Sequence, residues 1–499
     1  MPSHRPDDVN WCVNHINAWL LQSFATANMD DKRITADDEY RLGLKCRQEN
    51  CLDHALRHYE RAIALSPDHA QALNNLGVIR QQWGDAAAAA AAYQKAVEAE
   101  PQFGLAWFNL GNCFRQDNRL EEAIACYRRT LELMPADAET RINLAIVLRE
   151  VRQFDESLAV LDEIPVASAE LPKACLNRSM VHLLRGELGQ GWDEYESRLQ
   201  VGPDAQPISA HRWDGTPLAG RSIRLLCEQG IGDQVMFASC LPDLLKGAGK
   251  SFVECDVRLV PLLMRSFPQI TAIAKTIAPD ALPSVDRCDI VDYLGSLPRF
   301  LRRRIDDFPQ TNGYLRPDAE RTAGWRSSFA RLGGALKVGI SWHGGRDMET
   351  RRRRSIPLEL WEPIFKVPGA RFVNLQYGAA AADAAKVRRQ FGVSLDDGTD
   401  CDPLLDLDNF AAKIAALDLV LSVDNSTAHL AAAIGTPVWT LLPFAPDWRW
   451  MLARETTPWY PTMRLLRCRA ADNWTELLRR VARRLTSATI SRDLLSGAA

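Results

Sequence analysis

The sequence predicts an α-helical solenoid followed by an α/β region with two parallel sheets. Two observations carry this prediction. Pro67, Pro101 and Pro135 recur every 34 residues in the first part of the chain, and strand-like apolar runs alternate with helical segments in the second part. Periods of this length are typical of stacked helix pairs, and the alternation is typical of parallel sheets covered by helices. The 499 residues also exceed what one hydrophobic core usually supports.

Each of the three prolines closes the same residue template, which is that of tetratricopeptide (TPR) repeats. The template positions are Leu42-Gly43, Leu76-Gly77 and Leu110-Gly111; Ala55, Ala89 and Ala123; Tyr59, Tyr93 and Tyr127; Ala62, Ala96 and Thr130; and, early in the unit, Leu73 and Trp107. Glycine and alanine are expected where the two helices of a unit approach closely. We expect the tyrosine to fill the gap between units and the proline to end the second helix.

We place the solenoid at residues 36–200, with weaker units at 138–171 and 172–200, which makes about five helix pairs. Residues 1–35 are predicted to hold a packing helix rather than a membrane anchor, because the stripe that contains Trp11, Trp19 and Phe24 is short and lacks lysines. A solenoid of this kind offers a groove for a protein partner and has no chemistry of its own.

The second part of the chain begins after a Pro- and Gly-rich stretch, 201–221, which is predicted to be a linker. Candidate strands fall into two sets, which are 222–228, 251–256, 270–274 and 290–294, then 337–342, 371–377, 418–423, 437–442 and 463–468. We assign residues 222–318 and 336–490 to two Rossmann-like domains that face a cleft, which is the GT-B architecture.

The segment 417–442 has the order strand, polar loop, helix, glycine stop, strand. Asp424, Asn425, Ser426 and Thr427 lie where the strand leads into the helix. Backbone N–H groups and the helix dipole favour an anion at such a place. A simple capped helix in a βα unit is the alternative.

Two other loops follow predicted strands. Gly230 and Gly232 allow close backbone approach, and Asp233 lies at the start of the next helix, either as a functional carboxylate or as a helix cap. His343 and Gly344 precede the run 351–354 of four arginines, a set that can neutralise a diphosphate, mainly through Arg354. A solvated surface loop is the alternative for this run.

Other features narrow the class of protein. A net charge of −3 and a pI of about 6.3 argue against nucleic acid as a partner. The sequence has no apolar stretch of membrane-spanning length and no C-x-x-C pair, so we expect neither a membrane span nor a zinc or disulfide framework, and we predict a cytoplasmic protein. Asp406 and Asp408 form a D-x-D pair, for which helix capping is the better interpretation than metal binding.

The loops at Asp233 and Asp424 resemble those of family 9 glycosyltransferases, the lipopolysaccharide heptosyltransferases. That family carries a G-D loop after its first strand and the pattern D-T-x-x-x-H-L-A-A-A-x-G-x-P in its second domain. The matching residues here are Asp424, His429, Leu430, Ala431, Ala432, Ala433, Gly435 and Pro437. With its repeats, the whole chain is similar to bacterial TPR-containing glycosyltransferases, some of which modify flagellin.

This resemblance implies an inverting sugar transfer without a metal or a cofactor, from a nucleotide-sugar co-substrate, with Asp233 as the general base. The residues expected at the donor and its phosphates are Gly230, Gly232, His343, Gly344, Arg354, Gln376, Asp424, Asn425, Ser426, Thr427, Ala428 and His429. Heptosyltransferases also carry a glutamate after the strand at 371–377, where this chain has GAAAAD.

Three functions stay open at this point. The first is a glycosyltransferase whose protein acceptor, for example flagellin, is held by the TPR groove. The second is a scaffold whose sugar domain has lost activity and only binds, which the missing glutamate would favour. The third is a lipopolysaccharide heptosyltransferase, against which the repeats argue because a glycolipid acceptor needs no peptide groove.

Overall fold

The computed structural model describes residues 34–201, 211–275, 288–333, 336–345, 348–378, 380–395, 401–471, 473–491 and 495. The expected packing helix within residues 1–35 and most of the expected linker lie outside these described residues. The chain forms two compact units, of which one ends at Glu170 and the other begins at Leu171.

The first unit is a succession of helix pairs. Its helices are α1 (Ala36–Gln48), α2 (Leu52–Leu65), α3 (Ala70–Gln82), α4 (Ala86–Ala99), α5 (Gly104–Gln116), α6 (Leu120–Leu133), α7 (Ala138–Glu150) and α8 (Phe154–Asp162). The second helices of the first three pairs, α2, α4 and α6, each end two residues before a template proline, as predicted, because proline cannot continue the hydrogen-bond ladder.

The repeat template has a steric basis. In each of the first three repeats a fully buried tyrosine lies across the glycine of the same repeat. A Cβ atom on Gly77 would lie only 2.6 Å from Cε1 of Tyr93. The equivalent pairs are Gly43 with Tyr59 and Gly111 with Tyr127. Each ring therefore fills the space that the glycine of its own repeat leaves open. Tyr59 and Tyr93 also share core clusters with residues of the following repeat, as predicted.

The second unit contains two sheets. The strands are β1 (Ile223–Leu226), β2 (Ser251–Cys255), β3 (Ile270–Ala274), β4 (Ile290–Tyr293), β5 (Leu336–Ser341), β6 (Ala370–Asn374), β7 (Leu419–Val423), β8 (Val438–Leu442), β9 (Thr456–Thr457) and β10 (Tyr460–Arg467). The first sheet has the order β3-β2-β1-β4 and is parallel. The second has the order β6-β5-β7-β8-β10-β9 and is parallel except for β9. Both sheets agree with the predicted sets; only the short β9 was not predicted.

Helices connect and cover these strands. They are α9 (Leu171–Arg185), α10 (Leu188–Tyr195), α11 (Ile231–Ala238), α12 (Leu241–Leu244), α13 (Val260–Ser266), α14 (Pro298–Leu301), α15 (Ala319–Ala330), α16 (Met348–Arg354), α17 (Glu362–Phe365), α18 (Ala380–Phe391), α19 (Leu407–Ala415), α20 (Ser426–Ile434) and α21 (Trp474–Ile490). Strands β7 and β8 are buried at every position, as parallel strands covered on both faces are.

The strand orders fix where a ligand can bind. In the first sheet β1 lies between β2 and β4, and in the second β5 lies between β6 and β7, so the strand order reverses beside β1 and beside β5. Open α/β sheets bind ligands outside the carboxyl ends of strands at such points. The loops that follow β1, β5 and β7 therefore occupy the expected binding edge of each sheet.

Helices α9 and α10, which we predicted as the last solenoid repeat, are part of the second unit. Trp192 on α10 packs edge-on against Trp448 and Trp459, with ring centroids 5.5 and 6.1 Å apart. The backbone N–H of Leu452 also donates to the carbonyl of Leu184 at 3.0 Å. The observed boundary thus lies at residue 170 rather than 200, because the aromatic partners of this helix pair come from the far end of the chain.

Three smaller expectations can be compared with the structure. Asp406 caps α19 by accepting the Asn409 N–H at 2.9 Å, which confirms the capping interpretation. Cys51 is disulfide-bonded, although the cysteine spacing led us to expect no zinc or disulfide framework. Within the described residues, the structure has no helix that is both long enough and apolar enough to cross a bilayer.

The glycine-tyrosine contact predicts the effect of one methyl group. We expect Gly77→Ala to destabilise the first unit by about 1–3 kcal/mol, because the new Cβ overlaps the Tyr93 ring. The measurement is the unfolding midpoint in urea, followed by circular dichroism. Gly324→Ala is the matched control, since this glycine of α15 has open space around its Cβ position and alanine favours the helix. Equal midpoints for Gly77→Ala and the parent chain would contradict the steric account.

Candidate active site

A cavity of about 500 Å³ lies where the loops after β1, β5 and β7 meet. Nine of the predicted site residues line it, which are Gly230, Gly232, Asp233, Arg354, Asp424, Asn425, Ser426, Thr427 and His429. The structure thus brings the carboxylate of Asp233 and the start of α20 into one space. The remaining predicted residues are His343, Gly344, Gln376 and Ala428, which lie behind its wall.

Two helices begin at this cavity. Helix α11 starts after Gly230, and helix α20 starts after Asn425. A Cβ on Gly232 would lie 3.2 Å from Cδ2 of His429 and 3.6 Å from Cα of Ser426, so the first turns of the two helices touch where glycine leaves room. Each helix start carries partial positive charge, and together they favour an anion in the cavity.

Asn425 builds the turn that leads into α20. Its Oδ1 accepts the N–H groups of Thr427 and Ala428 at 3.0 and 3.3 Å, and its Nδ2 donates to Oγ of Ser341 and to the carbonyl of His343, both at 2.8 Å. Asn425 therefore positions the backbone at the edge of the cavity, and its contact with a ligand stays a prediction. The amides of Thr427 and Ala428 are likewise already engaged. The amide of Ser426, which lines the cavity, makes no hydrogen bond within the described residues.

Gln376 also positions the backbone, and its contact with the donor stays a prediction. Its buried Oε1 accepts Oγ of Ser341 at 3.1 Å and the backbone N–H groups of Trp342 and His343 at 2.8 Å. This polar network joins the carboxyl ends of β5, β6 and β7. It fixes the three loop starts relative to one another, as fully bonded buried networks do.

His343 and Gly344 lie in the same layer behind the wall. Nε2 of His343 lies 3.4 Å from the carboxylate of Asp383, and burial together with Arg351 lowers the pKa of this histidine. A Cβ on Gly344 would lie 2.6 Å from the carbonyl oxygen of Asp424, so only glycine lets the β5 loop pass the β7 loop this closely. Both residues shape the wall, and it is the next glycine, Gly345, that lines the cavity.

The most conspicuous feature of the cavity is a chain of alternating charges. Nε of Arg449 donates to Oδ1 of Asp233 at 2.7 Å, and its Nη1 donates to Oδ1 of Asp447 at 2.6 Å. Asp447 also accepts Nη2 of Arg354 at 2.7 Å, and Nη1 of Arg354 lies 3.4 Å from Oδ2 of Asp424. The order is thus Asp233, Arg449, Asp447, Arg354, Asp424. The chain connects the loop after β1 with the loop after β7.

The carboxylates of this chain titrate differently. Burial raises the pKa of Asp424 above its ordinary value, although Arg354 opposes this. For Asp447 burial acts in the same direction, but Arg449 and Arg354 outweigh it and hold the pKa of this carboxyl well below its usual range. Asp447 is therefore the permanently ionised centre of the chain, while Asp424 takes up a proton more readily than an exposed aspartate does.

His429 lies beneath the cavity in a buried aromatic layer. Its ring stacks on Trp450 with centroids 4.9 Å apart, and its Nδ1 lies 2.9 Å from the hydroxyl of Tyr460. Burial, with Arg449 nearby, lowers the pKa of His429 to about 3. The imidazole is therefore neutral at ordinary pH and offers a hydrogen-bonding edge without a charge.

The sequence prediction missed several residues that line the cavity. The polar ones are Arg258 and Arg449, and the apolar or aromatic ones are Tyr377, Pro403, Leu404, Leu407 and Phe410. A signal for Arg449 was present in the segment PDWRW at 446–450, where an arginine lies between two tryptophans. Of the four arginines at 351–354, Arg354 lines the cavity, as expected. Among the described side chains, no group of three or more His, Cys, Asp or Glu residues is arranged to hold a metal ion.

Comparison with sequence families finds matches within both parts of the chain. Residues 43–84 match the family described as TPR repeat, residues 80–138 match Tetratricopeptide repeat, and residues 369–452 match Glycosyltransferase family 9 (heptosyltransferase). The chain therefore carries TPR repeats together with a glycosyltransferase family 9 segment, which confirms the resemblance seen in the sequence. The family 9 segment includes the Asp424 loop, helix α20 and Arg449.

Individual relatives match parts of the chain. Protein FlbA of Caulobacter vibrioides (strain ATCC 19089 / CIP 103742 / CB 15) is 36% identical over 333 residues, which is 64% of this chain and 56% of FlbA. The match thus spans little more than half of that relative. Among solved structures, YrrB, described as a TPR protein with an unusual peptide-binding site, is 20% identical with a TM-score of 0.32 over 34% of this chain and 87% of YrrB. MamA is 18% identical with a TM-score of 0.30, over 32% and 93% of the two chains.

The low pKa of His429 predicts a specific sensitivity to acid. Between about pH 6.5 and pH 3 the unfolded chain binds a proton at this histidine and the folded chain does not, so stability falls as the pH falls through this window. From pH 7 to pH 5 we expect a loss of roughly 1–2 kcal/mol from this group.

His429→Gln, which keeps a partner for Tyr460 but does not titrate, should lose less stability than the parent chain over the same range. Urea unfolding midpoints of both proteins at pH 7 and pH 5 measure the difference. The same loss in both proteins would show that His429 is not buried in its neutral form.

Proposed function

We propose that this chain is a glycosyltransferase that moves a sugar from a nucleotide-sugar donor to a hydroxyl group of a protein acceptor. One observation carries the proposal: the cavity joins the carboxylate of Asp233 to the start of α20, and α20 lies in the segment that matches glycosyltransferase family 9. The two α/β sheets are then the two domains of a GT-B enzyme, with the donor between their loops.

The proposed place of the donor follows from charge and surface. Its diphosphate binds at the start of α20, where the Ser426 amide, the helix dipole and Arg354 supply positive potential. Its nucleoside or sugar lies along the apolar part of the wall, which includes Tyr377, Leu407 and Phe410. Hydrogen-bond donors that are held in fixed positions stabilise the charge developing on a leaving phosphate by several kcal/mol.

In the proposed mechanism Asp233 acts as the general base. Its Oδ1 is held by Arg449, and its Oδ2 makes no hydrogen bond within the described residues, so Oδ2 is the atom that receives the proton of the acceptor hydroxyl. The acceptor oxygen forms a bond to the anomeric carbon while the bond to the diphosphate oxygen breaks, which inverts the configuration. The nucleoside diphosphate leaves with the electron pair, stabilised by Arg354 and the start of α20 without a metal ion.

The proposed role of the repeats is to select the acceptor. TPR arrays bind protein segments in their groove, so a protein acceptor accounts for the fusion of repeats to a sugar-transfer unit, whereas a glycolipid acceptor does not. Flagellin enters as an acceptor to test because the whole chain resembles bacterial TPR-containing glycosyltransferases, some of which modify flagellin.

A second candidate function has one observation in its favour. The ion pair with Arg449 occupies one oxygen of Asp233, so this carboxylate already takes part in a structural contact across the cavity. The chain also lacks the glutamate that heptosyltransferases carry after the strand matching β6. In this alternative the chain binds a nucleotide sugar and a protein without joining them.

The first experiment is a thermal-shift screen of UDP, GDP, ADP, CDP and dTDP with the full chain, followed by transfer assays with the matching nucleotide sugars. We expect one nucleotide to raise the unfolding temperature, because a ligand bound to the folded state stabilises it. Acceptor arms with flagellin and with a lipopolysaccharide core separate a protein acceptor from a glycolipid acceptor. Absence of any shift across the panel would contradict the proposed function.

The second experiment is Asp233→Asn. We expect turnover to fall about 10²–10⁴-fold, because the proton acceptor is removed, while binding of the nucleoside diphosphate survives. Arg128→Gln, which breaks an exposed ion pair of the solenoid unit, is the control for a changed arginine contact away from the cavity. Unchanged turnover in Asp233→Asn would remove this residue from the mechanism, and binding without turnover in the parent chain would support the second candidate.

A further inference from the structure

Every arginine that lines the cavity is already paired with a carboxylate. Arg258 donates to Asp256 at 2.8 Å through two nitrogens, Arg354 is held by Asp447 and Asp424, and Arg449 is held by Asp233 and Asp447. The guanidinium groups that would bind a diphosphate in this cavity are therefore already neutralised by carboxylates. Since the proposed function requires such a ligand, at least one of these pairs has to exchange its partner when the donor binds.

The net charge of the five-residue chain also favours an exchange of partners. The chain of five residues contains three carboxylates and two guanidinium groups, so its formal charge is −1 with all groups ionised. Bringing a dianion beside buried negative charge is unfavourable unless a cation turns toward it. An exchange of one guanidinium from a carboxylate to the phosphate supplies that cation without creating an unpaired buried arginine.

The contacts identify which pair exchanges. Asp447 accepts hydrogen bonds from both Arg354 and Arg449, and these two arginines hold its pKa low, so it stays as the anchor. Asp424 is only 2% exposed and lies inside the wall. Asp233 is bound through one oxygen by Arg449, and its side chain faces the cavity with 17% exposure. Within the five-residue charge chain, the contact between Arg449 and Asp233 is therefore the exchangeable one.

We propose that Arg449 binds the donor diphosphate in exchange for Asp233, so that the base is released only when the donor is in place. The inference rests on the proposed function and adds an order to it. Without the donor, Arg449 holds Oδ1 of Asp233 through two nitrogens, so this carboxylate is directed at the guanidinium rather than at the acceptor. With the donor bound, the Arg449 side chain rotates toward the diphosphate while it keeps its contact with Asp447. Asp233 then becomes the base for the acceptor hydroxyl.

The surroundings of Arg449 suit a side chain that pivots on a fixed backbone. Its guanidinium lies over the ring of Trp448 at 4.4 Å, and Trp448 packs against Trp192 and Tyr195 of helix α10, with centroids 5.5 and 5.3 Å away. Arg449 lies in a short helical turn, Trp448–Trp450, which Asp447 caps by accepting the backbone N–H of Arg449 at 3.1 Å. The turn is therefore braced by aromatic packing while the end of the side chain reaches the cavity.

The test measures how Asp233 competes with a phosphate ligand for Arg449. Affinities for inorganic pyrophosphate, and for the nucleoside diphosphate found in the screen, are determined by titration calorimetry for the parent chain, Asp233→Asn, Arg449→Gln and the double variant. We expect Asp233→Asn to tighten binding at least about threefold, because a competent arginine is then always available. We expect Arg449→Gln to weaken binding about tenfold, which is the loss of one charge-assisted phosphate contact.

The double variant separates exchange from simple charge removal. Deleting the charge of Asp233 should favour an anion even without Arg449, but the gain should be clearly smaller in the Arg449→Gln background than in the parent. An equal gain in both backgrounds, or no gain in either, overturns the inference while leaving the proposed function intact. Failure of both ligands to bind the parent chain and every variant overturns the inference and the proposed function together.

A kinetic measurement tests the order directly. Initial rates with varied donor and acceptor should follow an ordered pattern in which the donor binds first in the parent chain. Arg449→Lys keeps the positive charge and serves as the control if Arg449→Gln does not fold. We expect this variant to bind the donor first, as the parent chain does, but more weakly. Binding of the acceptor first in the parent chain would contradict the release of Asp233 by the donor.

Discussion

The alternating chain of carboxylate and guanidinium groups across the cavity is the interaction on which the site depends. It begins at Asp233, at the start of α11, and ends at Asp424, the residue after β7. Arg449, Asp447 and Arg354 lie between them in that order. Buried charges are tolerated in proteins only when they are paired, and removal of one partner leaves an uncompensated charge that destabilises the site strongly. The same pairs that join the loops of the two sheets therefore also set the potential that a ligand meets, so structure and binding cannot be varied independently here.

Behind this charged surface, neutral polar side chains fix the backbone. Gln376 and Asn425 use their amide groups to bond the ends of β5, β6 and β7 to one another, and Gly344 lets the first of these loops pass the last. As a result, the Ser426 amide and the first turn of α20 face the cavity in a fixed position. In the proposed mechanism, a preorganised site of this kind needs little rearrangement to stabilise a charged leaving group, apart from the proposed exchange at Arg449.

The sequence predicted features that depend on local pattern. The repeat template, the strand at Ile270–Ala274 and the loop at Asp424 could be recognised because each follows from periodicity or from a short motif. It could not reveal that Asp233 pairs with Arg449, 216 residues away. Nor could it show that the side chains of Asn425 and Gln376 form hydrogen bonds with the protein's own backbone. It also could not show that helices α9 and α10 pack with Trp448 instead of continuing the solenoid. These facts arise from tertiary packing, which a single sequence does not encode in any local pattern.

A crystal structure of the full chain with a nucleoside diphosphate tests the central claim most directly, because it locates the phosphates. The account predicts density for the diphosphate within hydrogen-bond distance of the Ser426 amide and of Arg354, with the carboxylate of Asp233 facing the same cavity. A nucleotide bound elsewhere on the chain, with the five-residue charge chain undisturbed and the cavity empty, would contradict it.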